Sequence, residues 1–180
     1  MKKRIADSQA KGDSAEARFR DAAIGFGFDV SDSTAHENRM EKFDFIIETP
    51  LSELGFGSHF TVDVKASKSH GMFYFETVGV SGGVGWGAAE TLDVLAIESA
   101  RHQGTFLLVR RDELHEACVS SFGPYDKDTV SRRTGSHPHF QWSGRSGNNR
   151  YGTEQHDVFA TIPDILGFVQ ENNLRFKLIS

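Results

Sequence analysis

Asp63 and Lys65 stand two residues apart in FTVDVKASKS, residues 60–69, inside an otherwise apolar run. In an extended segment side chains at i and i+2 share a face. Phe60, Val62 and Val64 therefore form one side, and Thr61, Asp63 and Lys65 the other. A half-exposed antiparallel strand alternates in the same way, so the pair acquires chemical meaning only with further groups. Asp44 is one, set between Phe43 and Phe45 in KFDFIIETP, where a merely solvated carboxylate is out of keeping with its neighbours. Glu16 is another, in the first turn of a predicted helix, a place where the helix dipole alone also favours a carboxylate. Two carboxylates on neighbouring strands can hold a hard cation such as Mg²⁺, which takes oxygen ligands and keeps several waters. An ammonium two residues beyond Asp63 would stand beside that ion, able to orient an attacking water or to stabilise charge growing on a phosphoryl group. Glu16 can then position Lys65 or help a second metal.

These groups need a helix and two adjacent strands to meet. Residues 13–26 read as the helix, capped by Asp13 or Ser14, with Ala15, Phe19, Ala22, Ala23 and Phe26 at helical spacing; Gly25 and Gly27 stop it, and a strand begins within 28–31. Residues 42–50 and FTVDVKAS read as strands joined by the turn-rich LSELGFGSHF, a hairpin or meander. Further strands are expected over 71–80, over Val94–Glu98 and in GTFLLVRR, with a helix over Trp86–Leu92 and another begun by Asp112. HDVFATI reads as a strand, and PDILGFVQENN as a helix with Pro163 at or near its first position.

In this order the residues resemble the PD-(D/E)XK nuclease superfamily, the restriction-endonuclease-like fold of many restriction enzymes, Holliday-junction resolvases and phage nucleases. The resemblance covers about residues 10–119. It rests on Glu16 on the first helix, Asp44 opening one core strand, and Asp63-Val64-Lys65 on the next. Phe43 stands where the superfamily has its leading proline, and Asp63 where glutamate is frequent. The resemblance implies an α/β single domain with a mixed central sheet flanked by helices. It implies Glu16, Asp44, Asp63 and Lys65 as catalytic residues, with metal held at Asp44, Asp63 and Val64. The activity implied is Mg²⁺-dependent hydrolysis of phosphodiester bonds in DNA, with Mn²⁺ as a substitute. Small size without a recognition domain points to the junction-selective or non-specific types, which commonly work as homodimers, and a phage or mobile-element origin accords with that. The alternative from another class is a nucleic-acid-binding or assembly module that keeps the fold without the chemistry.

The rest of the sequence sets bounds. A chain of 180 residues, 38% hydrophobic and 25% charged, accommodates one domain with a full core. It has nothing approaching the ~20-residue apolar run that spans a bilayer. The basic start MKKRIADSQAKGD lacks the apolar segment of a secretory signal, so an intracellular, cytoplasmic location is expected. The single cysteine, Cys118, excludes an intrachain disulfide and reads as a small residue at the edge of an apolar patch. Net charge is −5, but residues 101–150 hold eight basic against five acidic side chains, which makes this segment the expected phosphate-facing surface. Arg132, Arg133, Arg145 and Arg150 are its candidate DNA contacts, with Trp142 or Tyr151 available to stack on bases, and Lys68, just after Lys65, is a further candidate phosphate contact outside it. Between 120 and 157 the pattern is lost in a Gly-, Ser- and Asn-rich stretch, read as a loop-rich insertion. His137, His139 and His156 are better taken as loop residues than as a metal site, and SGGVGWG as a hinge or DNA-facing loop.

Overall fold

A computed structural model of the chain describes residues 2–66, 72–79, 83–123, 142–148 and 154–180; over 2–9, 143–148 and 154–157 it describes the course of the backbone alone. The first helix, α1, runs from Lys2 to Phe26. It begins well before the expected cap at Asp13 or Ser14, because the Ala-, Lys- and Gln-rich residues ahead of them are good helix formers and Gly12 alone does not break the run. Ala15, Phe19 and Ala23 are buried along one stripe. The helix ends where Gly27 adopts φ +98°: Phe28 N–H donates to Ala23 carbonyl at 2.9 Å and Gly27 N–H to Ile24 carbonyl at 2.9 Å, the left-handed stop that glycine permits.

Strands β1 (Val30–Asp32), β2 (Phe45–Ile47), β3 (Phe60–Lys65), β4 (Phe73–Val78), β5 (Val94–Glu98), β6 (Phe106–Arg110), β7 (Trp142–Asn148), β8 (Glu154–Ile162) and β9 (Phe176–Ile179) form two sheets. The larger is mixed, in the order β1-β2-β3-β5-β6-β9; only β3 and β5 run parallel. β2 and β3 pair antiparallel, as the hairpin reading required. β4 leaves this sheet to form a smaller one, β4-β8-β7. The expected helix over Trp86–Leu92 is only a 3-10 turn at Trp86–Ala88, since Gly85 and Gly87 flank the tryptophan and work against a longer helix. Helix α2 (Ala35–Met40), α3 (Arg111–Phe122) and α4 (Ile165–Glu171) complete the chain. Asp164 caps α4, its carboxylate accepting from Gly167 N–H, so Pro163 precedes the cap rather than opening the helix.

Both faces of the large sheet are covered. Val62, Val64, Val94, Ala96, Phe106 and Leu108 pack with Ala15, Phe19 and Ala23 of α1. On the other face Leu95, Ile97, Leu107 and Val109 pack with Phe73 and Phe75 of the small sheet, Leu114 and Cys118 of α3, and Phe168 of α4. Cys118 is thus fully buried in the second core, where burial pushes its thiol up to about 12 and leaves it inert. The architecture is a mixed α/β single domain. No described helix is long and apolar enough to cross a membrane.

Candidate active site

β3 answers the question its sequence raised. Its alternation does not leave one side in water: Asp63 is 4% exposed, because that side lies under the second core. The β2–β3 register ends with Phe45 opposite Val62, and Asp44 N–H also falls on the Val62 carbonyl, at 2.8 Å, so the strand alternation breaks at Asp44: Phe43 lies in the second core and Phe45 in the first. That break seats the Asp44 carboxylate on Val64 N–H, next along β3 from Asp63, close enough for the two carboxyl groups to act on one another.

Asp44 is held on both oxygens. Its Oδ2 accepts from Val64 N–H at 2.8 Å and its Oδ1 from Asn38 Nδ2 at 2.5 Å. Asn38 belongs to α2, which sequence reasoning missed although TAHE carries a readable signal: Thr34 and Glu37 form a capping box. Asp63 is held less completely. Lys65 Nζ stands 2.5 Å from its Oδ2, yet approaches out of hydrogen-bond alignment, so this buried oxygen has charge compensation without a directed donor. Burial, partly countered by Lys65 and reinforced by Asp44, pushes the Asp63 carboxyl up to about 7. Glu16 is brought to the same region: burial first, then Asp44 and Asp13, raise its pKa, while Lys65 acts in the opposite sense. Glu16 makes no direct ion pair with Lys65 among the described residues. It lines, with Asp32, Thr34, Asn38, Arg39 and Asp44, an open cleft of about 490 Å³. Lys65 has a second neighbour that the sequence did not reveal, the ring of Trp86, whose centroid is 4.6 Å from Nζ.

Whether this arrangement fits a hard divalent cation turns on its oxygen donors. Among the described residues no group of three or more His, Cys, Asp or Glu side chains is placed to hold a metal ion. Mg²⁺ does not need one, since it keeps several waters and is commonly bound through one or two carboxylates. Two neighbouring carboxyl groups, one with a buried oxygen lacking a directed donor, meet that requirement. Val64 contributes only its peptide group here, since its N–H is given to Asp44 and its side chain lies in the core under α1.

Of the proposed DNA contacts only Arg145 falls among the described residues. Lys68, Arg132, Arg133 and Arg150 lie outside the described residues, as do Tyr151, His137 and His139; Arg145 and His156 are placed only by backbone, on β7 and β8. Trp142 is committed to packing: its indole N–H donates to Gly123 carbonyl at 2.8 Å and its ring meets Phe122 edge-on. The described part of SGGVGWG is tied down rather than hinged, with Gly85 N–H on Thr77 carbonyl and Val84 bridged to Val78. Comparison with protein-family models, curated proteins and solved structures finds no match for this chain.

Proposed function

We propose that the chain is a Mg²⁺-dependent nuclease of the PD-(D/E)XK type that hydrolyses phosphodiester bonds in DNA. The observation that carries the proposal is the Asp44 carboxylate seated on Val64 N–H beside Asp63, with Lys65 Nζ 2.5 Å from the Asp63 carboxylate. A divalent cation bound there supplies Lewis-acid polarisation of a phosphoryl oxygen and a more acidic water. Asp44, locked by Asn38 and Val64, presents a fixed ligand. Lys65 supplies positive charge where it grows negative on the attacked phosphate, an interaction of most value in the transition state. Among its lining residues the cleft carries Glu16, Asp44 and Asp32, the last paired with Arg20, against Arg39, so a metal that offsets the carboxylates favours the approach of a phosphodiester.

Cleavage of DNA is expected with Mg²⁺ or Mn²⁺, little with Ca²⁺, and none in EDTA. Lys65→Ala is expected to fold and bind DNA while losing on the order of 10²-fold or more in rate. Full activity in EDTA, or wild-type rates for Lys65→Ala across a Mg²⁺ titration, would overturn the proposal. A second reading, a nucleic-acid-binding or assembly module without chemistry, draws on the direct Lys65–Asp63 ion pair, which neutralises the site without metal. DNA binding with no cleavage at any metal concentration would select it.

A further inference from the structure

Lys65 is a flexible four-carbon stem ending in a point charge, and at this site its only ion-pair partner among the described residues is Asp63. A carboxylate that turns to a metal gives up much of its hold on the ammonium. The Trp86 ring is the other restraint, 4.6 Å from Nζ. The ring does not depend on β3 for its own position. It packs edge-on against Phe75 and tilted against Phe73, with centroids at 5.5 and 5.8 Å, so the small sheet carries it. The backbone on either side is pressed against β4: a Cβ added at Gly85 or at Gly87 would lie 2.7 Å from the Glu76 carbonyl oxygen. Only glycine allows that approach, and the approach brings the indole face to Lys65.

We propose that Trp86 is a positioning residue for Lys65, keeping its ammonium at the carboxylate pair when Asp63 is engaged elsewhere. Attraction between an ammonium and an aromatic face strengthens as water is excluded, and it does not compete with a cation for carboxylate oxygens. The catalytic consequence rests on the nuclease reading; the positioning itself does not.

The geometry has a direct readout, because an ammonium stem over an aromatic face has its methylene protons shifted upfield by the ring current. In the metal-free protein the Lys65 Cε protons are expected upfield of the other lysines. They should stay so in Asp63→Asn, move less far upfield in Trp86→Phe, and return to the ordinary position in Trp86→Leu. In cleavage assays Trp86→Leu should lower kcat about tenfold with KM little changed, and Trp86→Phe should recover most of it. Persistence of the upfield shift in Trp86→Leu, or its complete loss in Asp63→Asn, would overturn the proposal, the latter by showing that Asp63 alone holds the lysine. If the wild type cleaves nothing, the nuclease reading falls and the ring-current measurements still decide the positioning.

Discussion

Two buried carboxylates lie on neighbouring strands of the large sheet and are treated in opposite ways. Glu98, at the end of β5, is 4% exposed, as is Asp63 on the neighbouring β3. Glu98 receives a two-pronged pair from Arg18, with Nε on Oε1 at 2.6 Å and Nη2 on Oε2 at 2.9 Å, and a further bond from Gly104 N–H at 3.2 Å. Asp63 receives one misaligned ammonium and stands beside another carboxyl group. The planar guanidinium matches both carboxylate oxygens at once, which a lysine cannot do. Glu98 is therefore a clamp joining α1 to β5. Asp63 keeps a buried oxygen without a directed donor, and that difference supports reading it as part of a site.

The clamp should break hardest. Arg18→Ala removes the two-pronged guanidinium pair from buried Glu98, a loss on the order of 2–4 kcal/mol given that Arg18 is itself partly exposed. Urea unfolding of the metal-free protein measures it. A loss below about 0.5 kcal/mol, the range of ordinary surface substitutions, would put Glu98 and Asp63 in the same class.

Asp63→Asn should do the reverse in metal-free buffer. The folded-state pKa near 7 lies above the ordinary value of 3.8. Below about pH 4 both folded and unfolded chains hold the proton, and Asp63 costs nothing. As pH rises from about 4 to 7 the unfolded chain releases a proton that the folded chain keeps, so stability falls; above pH 7 the loss is complete and constant. At pH 8 in EDTA, Asp63→Asn should be more stable than wild type by on the order of 1 kcal/mol or more, with a flatter stability profile between pH 4 and 7. A variant less stable than wild type at pH 8 would mean that the Lys65 pair outweighs the burial of the charge.

Neither half of this comparison could be read from the sequence in full. β3, β5 and β6 were legible because buried strands announce themselves as apolar β-branched and aromatic runs, and Val94–Glu98 was bounded correctly. Asp63 and Lys65 were legible as candidates because period-two alternation fixes their shared face, and Asp44 because a charge interrupts an apolar run, although the alternation breaks at that residue. The burial of Asp63 was not, since alternation says which residues share a face and nothing of what covers it. The Arg18–Glu98 clamp joins residues 80 apart, and no local pattern encodes it. β7 escaped because WSGRSGN has no apolar alternation and takes its place by pairing with β8. β9 is short and fills the sheet edge beside β6, while Trp86 was assigned to a helix that its flanking glycines do not sustain.

Asn38 tests how far the site depends on support of the kind Glu98 enjoys. Its amide fixes one oxygen of Asp44, so Asn38→Ala frees that carboxylate to rotate while Val64 N–H still holds the other. The expected result is about a tenfold fall in cleavage rate, with a higher Mg²⁺ concentration needed for half-maximal activity, in line with the loss of a group that orients a metal ligand. Asn38→Asp should be worse than Ala, since it adds a third negative charge and removes the donor. Wild-type metal dependence in Asn38→Ala would show that the Val64 N–H alone sets Asp44.

The smallest effect concerns how the chain enters Asp44. Lys42 follows α2 with φ +68°, a left-handed conformation, and its N–H donates to Glu37 carbonyl at 3.1 Å to close the helix. Such a conformation costs a non-glycine residue on the order of 1 kcal/mol. It turns the chain directly into Phe43, buried in the second core, and then Asp44. Glycine adopts this φ without cost but adds disorder to the unfolded chain. It also loses the hydrogen bond from Lys42 Nζ to Arg39 carbonyl, an exposed contact of little net worth. Relief of the left-handed strain is the larger of these terms, so Lys42→Gly should stabilise the protein by about 0.5 kcal/mol with its cleavage rate and Mg²⁺ dependence unchanged. Lys42→Val, which suits positive φ poorly, should destabilise by about 1 kcal/mol or more. If both variants matched wild type in urea unfolding, the turn would be soft and Asp44 would owe its place wholly to Asn38 and Val64.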